Sequence, residues 1–189
     1  MIKTDAADKD RVVDILVNSF NDNKSVNYII QQDSKRIEHI KGLMEYSFEV
    51  CQSFGKVYMS EDKNACALLL LPDKKKTTLR SIWDDIKLIF TAIGIANVQK
   101  TLSREKKIRA LQPKQLIYYL WFIGVSPESQ GKGIGSQLLK DVLTDCSLNK
   151  RIICLETSTI KNIPWYEKFG FKVYNQLNLG YQLFFLKKE

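Results

Sequence analysis

Three glycines stand close together in the stretch Gln130-Gly131-Lys132-Gly133-Ile134-Gly135-Ser136. This stretch follows an apolar run over residues 116–125 and opens an amphipathic run over residues 138–143. Each glycine inside a helix costs about 0.8–1 kcal/mol relative to alanine, so three at a helix start need a reason. Glycine leaves no side chain between the N–H groups of a helix N-terminus and an anion. The pattern therefore predicts a phosphate-binding turn between a strand and a helix.

Length and composition restrict the class of protein. The 189 residues suffice for one domain with a sizeable core, and we expect a single domain over residues 1–189. No apolar segment typical of a signal peptide follows Met1. The longest nearly uncharged apolar stretch, residues 88–98, is about half the roughly 20 residues of a membrane span. We therefore expect a cytoplasmic protein with no membrane partner.

The cysteines, the histidine and the charge argue against metal and nucleic-acid chemistry. No two of the four cysteines are close in sequence, which favours reduced thiols over a metal or redox motif. The single histidine, His39, excludes a His-rich metal site, and we interpret it as a residue on a helix face. Basic residues cluster only at 74–76 and 104–109, so solvated faces explain the net charge of +8 better than nucleic acid does. A positive field also suits an anionic cofactor.

The hydrophobic pattern predicts a mixed α/β fold. Residues 74–113 read as two helices, which either pack on the domain edge or cover a substrate pocket. The strand over residues 116–125 is apolar on both faces and is expected at the centre of the sheet, and Gly124 predicts a bulge or a close backbone approach. The other expected strands are 1–4, 56–60, 65–71, 151–156, 171–177 and 181–186, and the other expected helices are 8–20, 25–31, 33–55, one ending near 147, and 162–169.

Three kinds of glycine turn bind phosphate, and their spacing separates them. A P-loop ends in Gly-Lys-Ser or Gly-Lys-Thr, whereas Lys132 lies between two glycines. A dinucleotide fingerprint needs a third glycine where this chain has Ser136, although Glu156 lies at a fitting distance for its acidic residue. The pattern Gln-x-x-Gly-x-Gly is satisfied in full by residues 130–135.

That third pattern resembles the GNAT superfamily of acetyl-CoA-dependent N-acetyltransferases. Three segments in the same order and spacing carry the resemblance: residues 123–139, Leu155-Glu156-Thr157-Ser158, and residues 162–171. The chain is most similar to the branch that includes puromycin-type acetyltransferases, which modify amines on small molecules. The resemblance implies an α/β fold of GNAT type, with a splayed mixed sheet of six or seven strands flanked by helices, and a reaction that needs no metal.

The resemblance also implies which residues bind acetyl-CoA as co-substrate. Main-chain groups at the end of the central strand would pair with the pantetheine arm, and the Val125 N–H would lie near the acetyl carbonyl, where it would stabilise a developing oxyanion. Backbone N–H groups of the glycine turn would hold the pyrophosphate. The residues assigned in this way are Ile123, Gly124, Val125, Gln130, Gly131, Lys132, Gly133, Ile134, Gly135, Ser136, Asn162 and Tyr166.

Two residues are candidates for proton transfer. Tyr166 matches the family tyrosine that protonates the leaving thiolate, a role that suits a phenol of pKa about 10. Related enzymes often place an acidic base on the central strand where this chain has Trp121, which leaves Glu156 as the candidate base. The alternative for Glu156 is a structural role, as a carboxylate that accepts hydrogen bonds. A water chain or an already neutral substrate amine would then remove the need for a base.

The expected function is acetyl transfer from acetyl-CoA to a primary amine of a small molecule by direct attack. Alternatives are acetylation of proteins or peptides, and a CoA-binding regulatory module without catalysis. No nucleic-acid partner is expected, and the protein would be a monomer or a homodimer. Aromatic residues are expected to line the acceptor pocket and to select an amine with an apolar or aromatic part: Trp83, Phe90, Tyr118, Trp121 and Trp165.

Overall fold

A seven-stranded mixed sheet lies at the centre of the computed structural model, which describes residues 1–189. The strands are β1 (Ile2–Lys3), β2 (Gly55–Met59), β3 (Ala65–Leu70), β4 (Ile117–Val125), β5 (Ile152–Thr157), β6 (Lys172–Asn178) and β7 (Gln182–Lys188). Their spatial order is β1-β2-β3-β4-β5-β7-β6. Only β4 and β5 run parallel, and all other neighbours are antiparallel. The predicted mixed α/β fold is confirmed, with seven strands.

Helices cover both faces of this sheet. They are α1 (Lys9–Phe20), α2 (Lys24–Ile29), α3 (Arg36–Phe54), α4 (Leu79–Leu88), α5 (Val98–Leu111), α6 (Ile134–Leu148) and α7 (Ile163–Glu167). Most of their bounds agree with the predicted ones within a few residues, because apolar side chains at helical spacing mark each buried stripe. No helix combines the length and the apolar character that crossing a membrane would require.

Two hydrophobic clusters pack on opposite faces of the sheet. Leu16 of α1 and Phe48 of α3 belong to a cluster of 20 buried residues on one face. Leu139 of α6 and Tyr166 of α7 belong to a cluster of 16 on the other face. The sheet therefore separates the side that carries α1 to α3 from the side that carries α6 and α7.

The central strand β4 contains a β-bulge at Trp121. Leu68 of β3 lies opposite Phe122 and Leu69 lies opposite Leu120, so Trp121 is the extra residue. Because successive side chains of a strand alternate between faces, the extra residue puts Trp121 and Phe122 on the same face, where their rings stack with centroids 5.7 Å apart.

Gly124 has the second of its two predicted roles, a close backbone approach. A Cβ atom at this position would lie 2.9 Å from Ser19 Oγ and 3.1 Å from Leu16 Cδ2, both on α1. The absence of a side chain therefore lets α1 pack directly against β4, while the bulge lies three residues earlier in the strand.

β4 and β5 separate toward their carboxyl ends. Their parallel pairing covers three residue pairs, from Ile117 opposite Ile152 to Tyr119 opposite Cys154. Beyond that point β4 stays paired with β3, and β5 stays paired with β7, where Glu156 lies opposite Phe185. A gap therefore opens inside the sheet between the end of β4 and the end of β5, as the predicted splayed sheet requires.

Candidate active site

A cleft of about 110 Å³ lies at this gap. Strand β4 lines it from Tyr119 to Ile123, and β5 with the following turn lines it from Leu155 to Ser158. Residues of α1, α2, α3, α5 and α7, together with Asn23 and Asn162, complete its surface. Because the cleft lies where a parallel strand pair separates, main-chain and side-chain groups of both strands face the same space.

Glu156 lines this cleft and has one carboxylate oxygen without a hydrogen-bond partner. Its Oε2 accepts a hydrogen bond of 2.5 Å from the hydroxyl of Tyr119, which lies on the neighbouring strand. Its Oε1 is buried and has no hydrogen-bond partner. A buried carboxylate oxygen without a donor is costly, because folding has removed the water that would have bonded to it. Such an oxygen is therefore suited to bind a ligand N–H group or to accept a proton.

Burial raises the pKa of the Glu156 carboxyl to about 7. The Tyr119 hydroxyl, the Arg104 guanidinium and the nearby Gln112 side chain lower this pKa, and the charge of Glu105 adds to the rise. A pKa near neutrality is the value at which a general base both exists in its charged form and binds a proton effectively. Burial also raises the pKa of Tyr119 well above its ordinary value, so this hydroxyl stays a donor.

Tyr166 lines the same cleft from α7. Its ring packs edge-to-face on Trp165 and Phe171, with centroid distances of 4.7 and 5.5 Å. Burial raises the pKa of its hydroxyl above the ordinary value, and no neighbouring group opposes that effect. The phenol is thus held in a fixed orientation and keeps its proton throughout the physiological pH range.

Arg104 of α5 connects three elements around the cleft. Its guanidinium donates hydrogen bonds to Ser25 of α2 and to the carboxylate of its neighbour Glu105. Its Nε donates to the Tyr181 hydroxyl at 3.2 Å, just before β7, and that hydroxyl donates to Ser25 at 3.2 Å. This group of contacts, the Arg104 bridge, ties α5 to α2 and to the β6–β7 turn.

The glycine turn has the geometry of an anion site. Gly131 and Gly133 have φ values of +75° and +81°, a region that side chains disfavour, and a Cβ at either position would meet nothing within 4 Å. Gly133 is the N-cap residue of α6 and offers no side chain to cap the helix. The first N–H groups of α6 have no intrahelical acceptor, so a row of donors faces solvent at the positive end of the helix dipole.

At the end of β4, just before this turn, some main-chain groups do not pair with β3. The Ser126 N–H bonds to Asn64 in the β2–β3 loop, so by antiparallel alternation the peptide groups of Ile123 and Val125 point away from β3 and toward the gap. The Val125 carbonyl accepts bonds from Ser19 Oγ at 3.1 Å and from Gln130 Nε2 at 3.2 Å. Gln130 therefore fixes the strand end, and the Val125 N–H remains directed at the gap.

Two more predicted residues lie at the junction of α6 and α7. Asn162 precedes α7 and lines the cleft, and its side chain forms no capping bond. Ser136 accepts a hydrogen bond of 3.0 Å from Trp165 Nε1, which connects the start of α6 to α7. The structure thus groups the predicted residues in two adjoining places: the turn at the start of α6, and the cleft with Ile123, Glu156, Asn162 and Tyr166.

The predicted aromatic lining is largely wrong. Of the five aromatic residues proposed, Trp121 alone lines the cleft. Trp83 and Phe90 are each 67% exposed on the outer side of α4 and the turn that follows it, and Tyr118 is fully buried in the core. The Trp165 ring packs edge-to-face on the Tyr166 ring and does not line the cleft. Aromatic character identified apolar surface, but it did not indicate which face of each element that surface occupies.

Sequence reasoning also missed residues that line the cleft, chiefly Tyr119, Arg104, Glu105 and Ser25. A signal for Arg104 exists, because Thr101 and Ile108 of α5 are buried at helical spacing on either side of it. No comparable local signal exists for Tyr119, whose bond to Glu156 depends on the pairing of β4 with β5. No cluster of three or more His, Cys, Asp or Glu side chains is arranged to hold a metal ion.

Comparison with known proteins agrees with this geometry. A family model described as an acetyltransferase (GNAT) domain matches residues 85–173. An uncharacterized N-acetyltransferase of Schizosaccharomyces pombe is 42% identical over 59 residues, which are 31% of this chain and 24% of that protein. The matched region thus spans about a quarter of the length of this curated relative.

Two solved structures share the fold over nearly the whole chain. One is from Corynebacterium glutamicum and is described as histone acetyltransferase HPA2 and related acetyltransferase. It superposes with a TM-score of 0.75 at 20% identity, covering 99% of this chain and 93% of the other. Arylalkylamine N-acetyltransferase 2 from Aedes aegypti has a TM-score of 0.65 at 13% identity, with 99% and 96% covered. Residues 85–173 thus match the acetyltransferase (GNAT) domain model, and the splayed sheet of the whole chain has the fold of these solved acetyltransferases.

Proposed function

We propose that this protein transfers the acetyl group of acetyl-CoA to the primary amine of a small molecule. The observation that carries the proposal concerns Glu156, which lines the cleft where β4 and β5 separate and whose buried Oε1 has no hydrogen-bond partner. When bound, acetyl-CoA supplies the thioester carbon that the amine attacks. Gly131, Gly133 and the first turn of α6 would hold its pyrophosphate, because they offer free N–H donors and no obstructing side chain.

Glu156 would act as the general base. An aliphatic ammonium must lose a proton before its nitrogen can attack, and a carboxylate of pKa about 7 can accept that proton near neutral pH. Tyr119 would position the carboxylate, because its hydroxyl donates to Oε2 and leaves Oε1 without a partner. Positioning of this kind keeps the base aligned without using the atom that takes the proton.

Val125 and Tyr166 would act on the acetyl donor, at the thioester oxygen and at the leaving sulfur. As the amine attacks, negative charge develops on the thioester oxygen, and the Val125 N–H directed at the gap would stabilise it. The departing thiolate then takes a proton from the Tyr166 hydroxyl. The nitrogen loses one proton to Glu156 before it attacks and a second to solvent as the tetrahedral intermediate collapses, while one proton passes from Tyr166 to sulfur. Glu156 then releases its proton to solvent and Tyr166 regains one, so that the reaction of an ammonium releases one proton in total.

The form of the cleft supports a small acceptor. The Arg104 bridge joins α5, α2 and the β6–β7 turn across its surface, whereas an extended peptide needs an open groove. Trp121 and Phe122 add stacked apolar rings, and Glu105 adds a carboxylate. These groups suit an amine with an aromatic or apolar part, a substrate type that the Aedes aegypti neighbour also carries in its name.

The experiment that tests this function measures thiol release from acetyl-CoA against a panel of amines and peptides. The panel contains arylalkylamines, polyamines, aminoglycosides, amino acids and peptides with free N-termini or lysines. Turnover of small amines is the expected result. Turnover of peptides alone would replace the substrate class, and tight CoA binding without any turnover would favour a regulatory module.

A second prediction concerns the glycine turn. Gly133→Ala is expected to raise the KM for acetyl-CoA at least about tenfold, because a left-handed φ costs a non-glycine residue about 1–2 kcal/mol and the turn must shift to relieve it. Gly180→Ala is the matched control, since Gly180 also has a positive φ, of +84°, with open space around its Cβ position, in the β6–β7 turn. Steady-state kinetics and thermal unfolding should show similar destabilisation in both variants and a changed KM only in Gly133→Ala.

A further inference from the structure

One segment of the chain carries nearly all of its net charge. Residues 74–111 contain ten Lys or Arg and three Asp or Glu, a net charge of +7 against +8 for the whole protein. Only Arg80 and Arg104 of those ten cations make an ion pair. The remaining cations, among them Lys87, Lys106 and Lys107, are free to attract an anionic partner.

The same segment carries most of the exposed apolar surface. Seven of the twelve large apolar residues that are exposed on the protein lie between positions 79 and 102. They form what we call the apolar face of α4 and α5: Leu79, Ile82, Trp83, Ile86, Phe90, Ile95 and Leu102. The spacing of the first five is that of a single stripe along a helix, turned away from the packed side of α4. An open apolar depression joins Ile86 and Phe90 to Ile95 and Leu102.

The charge decides among the possible occupants of this face. Two copies of the chain facing each other would bring together two segments of net charge +7, which repel, so self-association is disfavoured. An anionic lipid surface fits both the positive charge and the exposed apolar side chains. Its headgroups attract the cations, while protruding Trp, Phe, Leu and Ile side chains enter the headgroup boundary. Leu79, Trp83 and Phe90 protrude to the extent this needs, at 89%, 67% and 67% exposure.

We propose that the apolar face of α4 and α5 docks the protein on an anionic phospholipid surface. No membrane partner was expected because no segment is long enough to span a bilayer, but an interfacial contact needs no such segment. The proposal rests on the exposed surface of α4 and α5 and does not depend on the acceptor or on catalysis.

Co-sedimentation of the full chain with vesicles tests the proposal. Vesicles of phosphatidylcholine with one-third phosphatidylserine should retain the protein, and vesicles of pure phosphatidylcholine should not. Retention should weaken as salt rises, since the screening length falls from about 10 Å at 0.1 M to about 3 Å at 1 M. Anionic vesicles should also shift the tryptophan emission to shorter wavelength, and Trp83→Phe should remove most of that shift.

Matched variants separate the face from nonspecific effects. Trp83→Ala/Phe90→Ala should lower retention at least about tenfold, whereas Leu148→Ala, which removes a 78% exposed residue elsewhere, should not. Lys106→Glu/Lys107→Glu should abolish retention, whereas the same charge change at Lys140 and Lys150 should lower it far less. Affinity for acetyl-CoA should be unchanged in every variant, which verifies folding.

Several results would overturn the proposal. These are equal retention on neutral and anionic vesicles, no retention on either, or full retention of the Trp83→Ala/Phe90→Ala variant. A lipid-free dimer that this variant dissociates, detected by sedimentation velocity, would assign the face to a second copy of the chain instead.

Discussion

Glu156→Gln is expected to lower kcat by about 10²–10⁴-fold, because glutamine fills the same space but cannot accept the proton of the acceptor amine. In the unmodified protein, kcat/KM should rise with pH through a midpoint near 7, where the Glu156 carboxyl loses its proton. That inflection should be absent from the variant, whose remaining pH dependence is that of the substrate alone. Rates measured between pH about 6 and about 9 with one small amine provide the comparison.

Stability measurements separate loss of the base from loss of the fold. The folded pKa of Glu156 lies above the ordinary value of 4.5, so the protein becomes less stable as pH rises from 4.5 to about 7. Glutamine carries no charge to bury, and above pH about 7 the variant should therefore be more stable than the unmodified protein by about 1–3 kcal/mol. An inactive variant of unchanged or higher stability supports the role as base, whereas an active one would exclude it.

Glu105→Gln is the matched control for that experiment. It removes a carboxylate that lines the same cleft and whose charge raises the pKa of Glu156. The expected result is a largely retained kcat and a pH midpoint displaced to lower values. A loss of kcat as large as that of Glu156→Gln would mean that the charge of the cleft, rather than a specific base, governs the rate.

Tyr166→Phe is expected to lower kcat by about 10²–10³-fold while leaving the affinity for acetyl-CoA nearly unchanged. The hydroxyl stays protonated over the assayed range because burial raises its pKa, so its contribution as an acid should not vary with pH. The variant should accordingly lose rate by the same factor at each pH. The measurement is kcat with saturating acetyl-CoA, together with the CoA dissociation constant from calorimetry.

Tyr174→Phe provides the comparison for Tyr166→Phe. The hydroxyl of Tyr174 is buried without a hydrogen-bond partner, and burial raises its pKa as well, but it lies on β6 outside the cleft. Removing it should leave kcat unaltered. If the two variants lost activity equally, the effect would be one of packing, and Tyr166 would not be the proton donor.

The sequence predicted the elements whose signals are local. β4, the glycine turn and α6 follow from an apolar run, three glycines and helical spacing, and their order predicted a phosphate-binding turn. Glu156 and Tyr166 were found through motif resemblance at the ends of β5 and α7. Their roles as base and acid stay predictions until the variants above are assayed.

The contacts that depend on distant pairing could not be predicted in this way. Tyr119 meets Glu156 because β4 and β5 are neighbours for three residue pairs, a fact that no local pattern contains. Arg104 and Glu105 stand in a basic stretch that resembles an ordinary solvated helix face. Trp83 and Phe90 have the spacing of a core stripe, yet α4 turns them outward. The periodicity of apolar residues shows that they share one face of a helix, but it does not show whether that face packs against the core or is exposed.

The extra residue at Trp121 makes β4 tolerant of a loss of length at that one position. Leu120 and Phe122 already lie opposite neighbouring residues of β3, so deleting Trp121 would restore regular pairing and leave every following side chain on its present face. A single deletion between Phe122 and Val125 would instead turn side chains of this strand to the opposite face. Evolution of new acceptors can therefore proceed by substitution along β4 or by loss of Trp121, whereas single-codon deletions between Phe122 and Val125 should be rejected.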